Sequence, residues 1–291
     1  TETVYGLGGD ATSEMAIASI FGAKNRPIFN PLIVHVEDAK QARNIVIFND
    51  LADQLTRVFW PGALTIVLPR RDDKISLLVS AGLDTLAVRS PNHTVAQALL
   101  SNTGLPIAAP SANRSGFISP TKAEHVASSL LGQKGSDLKI ILDGGPCQIG
   151  LESTVIDLSG DTPSLLRPGG IPIEDIEKLV GPIIIPPLKI IGAHKSPGMS
   201  ERHYAPNLPL RLEVVKPLLG EAFIAFGPNI SSTKFNLSPT GDLKEAASKL
   251  FSMMRALDNN SHTGISVMPI PDQGIGRAIN DRLKRAAKTK D

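Results

Sequence analysis

In the stretch KNRPIFNPLIVHV, Lys24 and Arg26 stand two residues apart, just ahead of Pro27. Proline disfavours the helical region for the residue before it, so Arg26 is expected to be extended. Side chains two apart on an extended chain point the same way, and both cations then face one spot. An ammonium beside a guanidinium fork is a common pairing for phosphate oxygens. Taken alone, two solvated loop charges are the simpler reading, and His35, inside the apolar run that follows, reads as a core histidine. Ser111 and Asn113 repeat the spacing in APSANRSG, residues 109–116, where small residues let backbone approach a ligand. A turn built from Ser, Asn and Gly explains the same letters. In LESTVIDL, residues 151–158, Ser153 and Thr154 lead into an apolar run. Asp157 there could help hold magnesium, though such an aspartate more often binds a nearby backbone amide. Arg167 in LLRPGG and Arg89 in AVRSPNH each close a strand-like run, and strand ends are where open α/β sheets bind ligands.

The elements that must position these residues alternate between strand and helix. Thr12 and Ser13 cap a helix with Ala16, Ile17, Ile20 and Phe21 on its apolar face. Asp38 and Asp50 look like N-caps of short helices. Strands are predicted at 32–36, 64–68, 85–88, 140–142 and 154–158, with another apolar run at 106–109. Helices are predicted at 95–101, from a capping box at 121–124 to about Gly132, and at 173–180. Between Gly181 and Pro209 the periodicity stops, and Pro182, Pro186, Pro187, Pro197, Pro206 and Pro209 stiffen a linker. Alternation then resumes, with strands at 210–215, 222–226 and 265–268 and helices at 243–257 and 275–287. The domains are therefore 1–181, a linker at 182–208, and a smaller α/β unit at 209–291.

Composition narrows the function classes. The chain has 291 residues, enough for one large or two medium domains, with 42% hydrophobic and 20% charged residues. A net charge of +2 argues against a protein coated in basic charge. The single cysteine, Cys147, excludes an intramolecular disulfide and a cysteine-cluster metal site, and fits a reducing compartment. No run is long enough to span a membrane, and no signal peptide is visible. There is no P-loop, GLGGDA at 6–11 is a poor dinucleotide fingerprint, and no nucleophile elbow or zinc-spaced histidine pair occurs. Any nucleotide must sit in a cradle of hydroxyls and cations.

The segments TETVYGLG, KNRPIFNPLIVHV, AVRSPNH, APSANRSG, ESTVIDL and LLRPGG follow one another in the order seen in the YrdC-like family. With SPGMSERHYAP at 196–206 and LKRAA near the end, the chain resembles the longer, two-domain threonylcarbamoyl-AMP synthases over almost its whole length. The resemblance implies a twisted mixed sheet with helices forming a concave pocket, plus a Rossmann-like C-terminal α/β domain on a proline-rich linker. It also implies a strand and a helix ahead of TETVYGLG, which the sequence as it stands lacks. The implied reaction joins L-threonine, bicarbonate or CO2 and ATP into threonylcarbamoyl-adenylate and pyrophosphate. Mg2+ would be held mainly by the ATP phosphates. A separate transferase would pass the carbamoyl group to tRNA in the cytoplasm, with room for a weak tRNA contact by this chain and none with membrane.

Residue by residue, the resemblance places threonine near Thr3, His35, Arg89, Ala109 and Ser153. It places ATP near Lys24, Arg26, Asn30, Thr85, Ser111, Asn113, Ser119 and Arg167, with Tyr204 closing over the nucleotide as part of a lid. Lys24, Arg26, Ser111 and Asn113 match the K-x-R and S-x-N signatures tied to catalysis. Two other classes compete. One is a related carbamoyl-adenylating enzyme with another acceptor, disfavoured because its hydrogenase-maturation version adds zinc-binding cysteines. The other is a non-catalytic RNA-binding module, for which the dense basic stretch is 277–290, with Arg282, Lys284, Arg285 and Lys288. That stretch reads more simply as the solvated face of the last helix.

Overall fold

Alternating apolar runs and amphipathic stretches fold into two sheets with helices packed on them. The structure is a computed structural model that describes residues 1–71, 74–133, 135–136, 138–186, 202–228, 230 and 233–289. The first part runs β1 (Gly9–Asp10), α1 (Glu14–Lys24), β2 (Ile33–His35), α2 (Ala39–Ala42), α3 (Asp50–Phe59), β3 (Leu64–Pro69) and α4 (Leu77–Ser80). It continues with β4 (Thr85–Arg89), α5 (Thr94–Thr103), β5 (Ile107–Ala108), α6 (Ala123–Leu130), β6 (Thr154–Asp157), β7 (Ser164–Arg167) and α7 (Ile173–Val180). The second part holds β8 (Leu210–Arg211), β9 (Glu221–Ile224), α8 (Leu243–Leu257), β10 (Gly264–Val267) and α9 (Gly276–Ala286).

Among the described residues, the larger sheet has seven strands in the order β1-β5-β2-β4-β3-β6-β7. It is mixed: β2 runs parallel to β4 and β3 to β6, while β3 is antiparallel to β4 and β6 to β7. Alternation along each strand divides the side chains between two faces. Val34, Ile66, Leu68, Leu86, Val88 and Ile156 bury one face against Ile17 and Ile20 of α1, Leu55 of α3 and Ile176 of α7. The opposite face holds only a thin apolar cluster, Ile33, Val67, Ala87, Val155 and Leu166. Polar residues continue that face beyond it, and the cavity described below opens there.

The second sheet is parallel, in the order β8-β10-β9. Helix α8 turns Ala246, Ala247, Leu250, Phe251, Met254 and Leu257 inward, the stripe its 3.6-residue period predicts. This core does not stop at the domain boundary. Val4, Ile118 and Leu151 of the first domain belong to it. Gly150, at φ +72°, brings its backbone so close to α8 that a Cβ there would lie 2.7 Å from Ser248 Cα. Arg255 of α8 also donates to the carbonyls of Ile118 and Ser119.

Several sequence expectations are realised as drawn, including the Ser13 and Asp38 caps and the αL stop of α5 at Gly104. Others are corrected. Asn49, not Asp50, caps α3, its side chain accepting from Ala52 N at 2.9 Å while Asp50 is already helical. The capping box at 121–124 does not form, because Lys122 occupies the cap position and Thr121 N donates to His125 Nδ1 instead. Residues 140–142 form no strand, since they have no strand partner and Ile140 and Leu142 are exposed. The strand predicted at 210–215 shrinks to two residues, and Glu213 takes a positive φ of 57° that breaks the extended run. Of the linker, residues 187–201 lie outside the described residues, including most of SPGMSERHYAP. Its two ends are attached: Ile184 bridges to Ser164 at the edge of the first sheet, and Asn207 N bonds the Asp258 carboxylate at 2.9 Å.

Candidate active site

Register brings the first pair together. On the parallel strands β2 and β4, His35 stands opposite Arg89. Both are the last residues of their strands, on the face with the thin apolar cover. On the antiparallel pair β6 and β7, Arg167 closes β7 beside the start of β6 and reaches Ser153. Strand ends from four segments thus converge on one cavity of about 610 Å³, lined among others by Thr3, His35, Arg89, Ala109, Ser153 and Tyr204.

Arg89 is held by its own chain on three sides. Its guanidinium lies 2.6 Å from the Glu2 carboxylate, and it donates to Thr3 Oγ1 and Gly62 O, each at 2.9 Å. Burial first, then the Arg89 charge, push the neighbouring His35 imidazole down to about 3. His35 is therefore neutral near pH 7, and its buried Nδ1 has no hydrogen-bond partner among the described residues.

A second cluster collects cations. Arg26 donates to the carbonyls of Asn30, at 3.1 Å, and Pro31, at 2.9 Å. Arg167 donates to Ser153 O at 2.9 Å and Ser153 Oγ at 3.1 Å, and Ser153 Oγ also meets Thr65 Oγ1 at 2.7 Å. Lys24 is buried behind this wall and donates its ammonium to the carbonyls of Ser111 and Asn113, pinning the 109–116 turn. Burial, and then Arg26, hold its pKa well below the ordinary lysine value. Burial alone would raise the Glu152 carboxyl, but Arg282 and Arg167 outweigh it and bring it down to about 2. Positive charge at this wall therefore exceeds negative, with one carboxylate fixed in its midst. Such an arrangement suits a polyanion whose charge shifts during reaction.

The comparisons with known proteins agree along the whole chain. Residues 1–169 match the Sua5/yciO/yrdC family, described as Telomere recombination, and residues 171–288 match the threonylcarbamoyl-AMP synthase C-terminal domain. The chain belongs to the threonylcarbamoyl-AMP synthase family. It is 42% identical to the threonylcarbamoyl-AMP synthase of Bacillus subtilis, an alignment covering 99% of this chain and 88% of that protein. It is 40% identical to the same-named protein of Pyrococcus abyssi, with the same coverage. The crystal structure of P. abyssi Sua5 complexed with L-threonine superposes with a TM-score of 0.87 and 38% identity, over 99% of this chain and 88% of that one.

Within this member of the family, Thr3, Arg26, His35, Arg89, Ala109, Ser111, Ser153, Arg167 and Tyr204 all line the cavity. Lys24, Asn30, Asn113 and Ser119 are buried just behind its lining. Asn113 Nδ2 braces the Phe117 carbonyl at 2.8 Å, and Ser119 Oγ donates to Glu152 at 2.5 Å. Thr85 is not among the residues that line the cavity. It is the first residue of β4, paired with Pro69, and so stands at the opposite end of the strand from Arg89, roughly 13 Å away at ~3.3 Å per residue. Asp157 accepts from Ser159 N at 2.9 Å, the backbone amide its type favours.

Four buried residues at or beside the cavity escaped the sequence reading: Glu2, Glu152, His203 and Arg282. The basic stretch of the last helix is solvated only in part, at Lys284 and Lys288. Arg282 is fully buried and Arg285 nearly so. The spacing carried a signal, because Arg282 follows Ile275, Ala278 and Ile279 on the apolar stripe of α9. A charge on that stripe demands a buried partner, and the partner is Glu152, 2.8 Å away.

Proposed function

We propose that this chain condenses L-threonine, bicarbonate or CO2 and ATP into threonylcarbamoyl-AMP with release of pyrophosphate. The observation that carries this reading is one cavity joining two chemistries, a neutral histidine beside a buried arginine and a wall of cations around Arg26 and Arg167. The threonine carboxylate pairs with Arg89, a bidentate contact that a lysine would make poorly. Thr3, Ser153 and the Ala109 backbone frame the amino acid, and neutral His35 offers it a hydrogen bond rather than a competing charge. Arg26 and Arg167 face the triphosphate, while Lys24, Asn30, Ser111, Asn113 and Ser119 fix the turns that present it.

The reaction asks for no protein nucleophile. A carbamate oxygen of N-carboxylated threonine attacks the α-phosphorus, the α–β bridging P–O bond breaks, and pyrophosphate leaves with its charge neutralised by the arginines. Positioning and charge neutralisation supply most of such a barrier reduction. Tyr204, buried over the cations, keeps water from the mixed anhydride. No group of three potential metal-ligating side chains lies together among the described residues, and Glu2 and Glu152 are each engaged by an arginine. In this reading magnesium reaches the site on the phosphates of ATP. The product then passes to a separate transferase that acts on tRNA. No helix among the described residues is long and apolar enough to cross a membrane, and we place the work in the cytoplasm.

The test is product formation. Purified protein releases pyrophosphate from ATP only when threonine and bicarbonate are both present, and mass spectrometry finds the carbamoyl-adenylate. ATP turnover that ignores threonine, without that product, overturns the reading.

A further inference from the structure

Side chains of the second domain back the cavity wall without lining it. Arg282, on α9, has no exposed side-chain surface. Its Nε donates to Glu152 Oε2 at 2.8 Å, and its Nη1 donates to Asp281 Oδ2 at 2.6 Å. Its guanidinium carbon lies 4.9 Å from the Tyr204 ring centroid, a cation–π distance. Tyr204 is in turn stacked on Phe251 of α8, with ring centroids 5.6 Å apart. Glu152 and Tyr204 both line the cavity, beside Arg26 and Arg167. The other Glu152 oxygen accepts from Ser119, on a segment that Arg255 of the same domain also grips.

We propose that Arg282 is a positioning residue for the nucleotide wall: through Glu152 and the Tyr204 ring, the second domain sets the geometry and charge that the first domain offers to ATP. This rests on the proposed synthase reading, in which that wall meets the triphosphate. Arg282 itself does not line the cavity, so it acts through its two neighbours. Without it Glu152 keeps its place among Lys24, Arg26 and Arg167 but loses its strongest partner, and the freed carboxylate turns toward those cations. The cations that ATP needs are then partly neutralised from within. The Tyr204 ring also loses the charge that holds its face. The fork geometry matters as much as the charge, because Nε and Nη1 serve two different carboxylates at once.

The experiment measures ATP binding by calorimetry, and the ATP and threonine dependence of pyrophosphate release, in Arg282→Ala, Arg282→Lys and Glu152→Gln proteins, with Lys284→Ala as an exposed control on the same helix. Arg282→Ala weakens ATP binding by about tenfold or more and raises the KM for ATP in step, while the KM for threonine moves less than about threefold. Adding Glu152→Gln to Arg282→Ala recovers part of the lost ATP affinity, since the stray carboxylate is gone. Arg282→Lys keeps the charge without the fork and falls between wild type and Ala. Unchanged ATP affinity in folded Arg282→Ala or Arg282→Lys protein overturns the proposal. So does an equal rise in both KM values, or a double variant no better than the single one. Should Arg282→Ala not fold, the Lys variant and Glu152→Gln decide by the same ATP readout. If wild type binds ATP but makes no carbamoyl-adenylate, the synthase reading fails while the ATP-binding arm still tests Arg282.

Discussion

Arg89 and Glu2 form an ion pair at 2.6 Å with both side chains buried. The arginine read as the partner of the substrate carboxylate thus already holds a carboxylate from its own chain. Substrate must share or displace Glu2. Replacing Arg89 with Ala removes the contact outright: half-saturation shifts to at least about tenfold more threonine, and ATP dependence moves by less than about threefold, in pyrophosphate-release assays. Glu2→Gln does the opposite for affinity. It leaves Arg89 a buried charge that only the substrate can balance, so the KM for threonine falls while the unliganded protein loses roughly 3 kcal/mol of stability by denaturant melting.

Arg26 faces the cavity and holds its own loop through the carbonyls of Asn30 and Pro31. Arg26→Ala is expected to lower kcat for pyrophosphate release by about 10²-fold at saturating threonine, the scale on which one preorganised donor to transition-state charge acts. Retention of more than half the wild-type kcat removes Arg26 from the chemistry.

The buried histidines tie stability to pH. Burial above all, with Arg89 adding, brings His35 to about 3, and burial does the same for His203. Each ordinarily titrates near 6.5. Between those values the unfolded chain binds protons that the folded one refuses, so stability rises with pH across the window and is lost as pH falls below 6.5. Each histidine contributes up to about 1.4 kcal/mol per pH unit there. Denaturant titrations at pH 7, 6 and 5 show the decline, and His203→Gln flattens it. Glu152 adds to the loss only below 4.5, as pH falls toward its folded value of about 2.

Gly150 seals the domain contact. A Cβ at this residue meets Ser248 Cα at 2.7 Å and Ala247 O at 2.8 Å, and its φ of +72° already disfavours any other residue. Gly150→Ala pushes α8 off the first domain. Small-angle scattering reads this as a larger radius of gyration, and ATP affinity drops as in the Arg282 variants. An unchanged radius and affinity together show that α8 accommodates the methyl group.

Much of the fold was legible because its signals are local. Ser13, Asp38 and Gly104 mark helix ends through their own hydrogen bonds or backbone angles, and α8 shows its buried stripe in its spacing. The strand predicted at 140–142 failed because an apolar run gives no information about whether a partner strand exists. The cap of α3 slipped by one residue because Asn49 and Asp50 are equally good cap types, and only the extended backbone of Asn49 chooses between them. The site was legible through family order rather than through spacing. Lys24 and Arg26 do cooperate, but not as two prongs aimed at one ligand: Arg26 lines the cavity, whereas Lys24 ties down the turn behind it. Thr85 stands at the end of β4 away from Arg89, and its type could not show this because a strand position carries a face but not an end. Glu152 and Arg282 stayed hidden because a charge looks solvent-exposed until its distant partner is known.

Residues 152 and 282 meet across 130 positions of sequence, far more than any helix or hairpin spans. Contacts that distant close slowly, since the loop entropy is lost before the contact returns anything. We expect the first sheet to form while the Glu152 charge is still without Arg282, so that the wall of cations around Arg26 and Arg167 matures late. Catalytic competence in a refolding experiment then lags behind the appearance of sheet signal, and its rate reports the docking of α9 rather than the folding of the domain that carries the cavity.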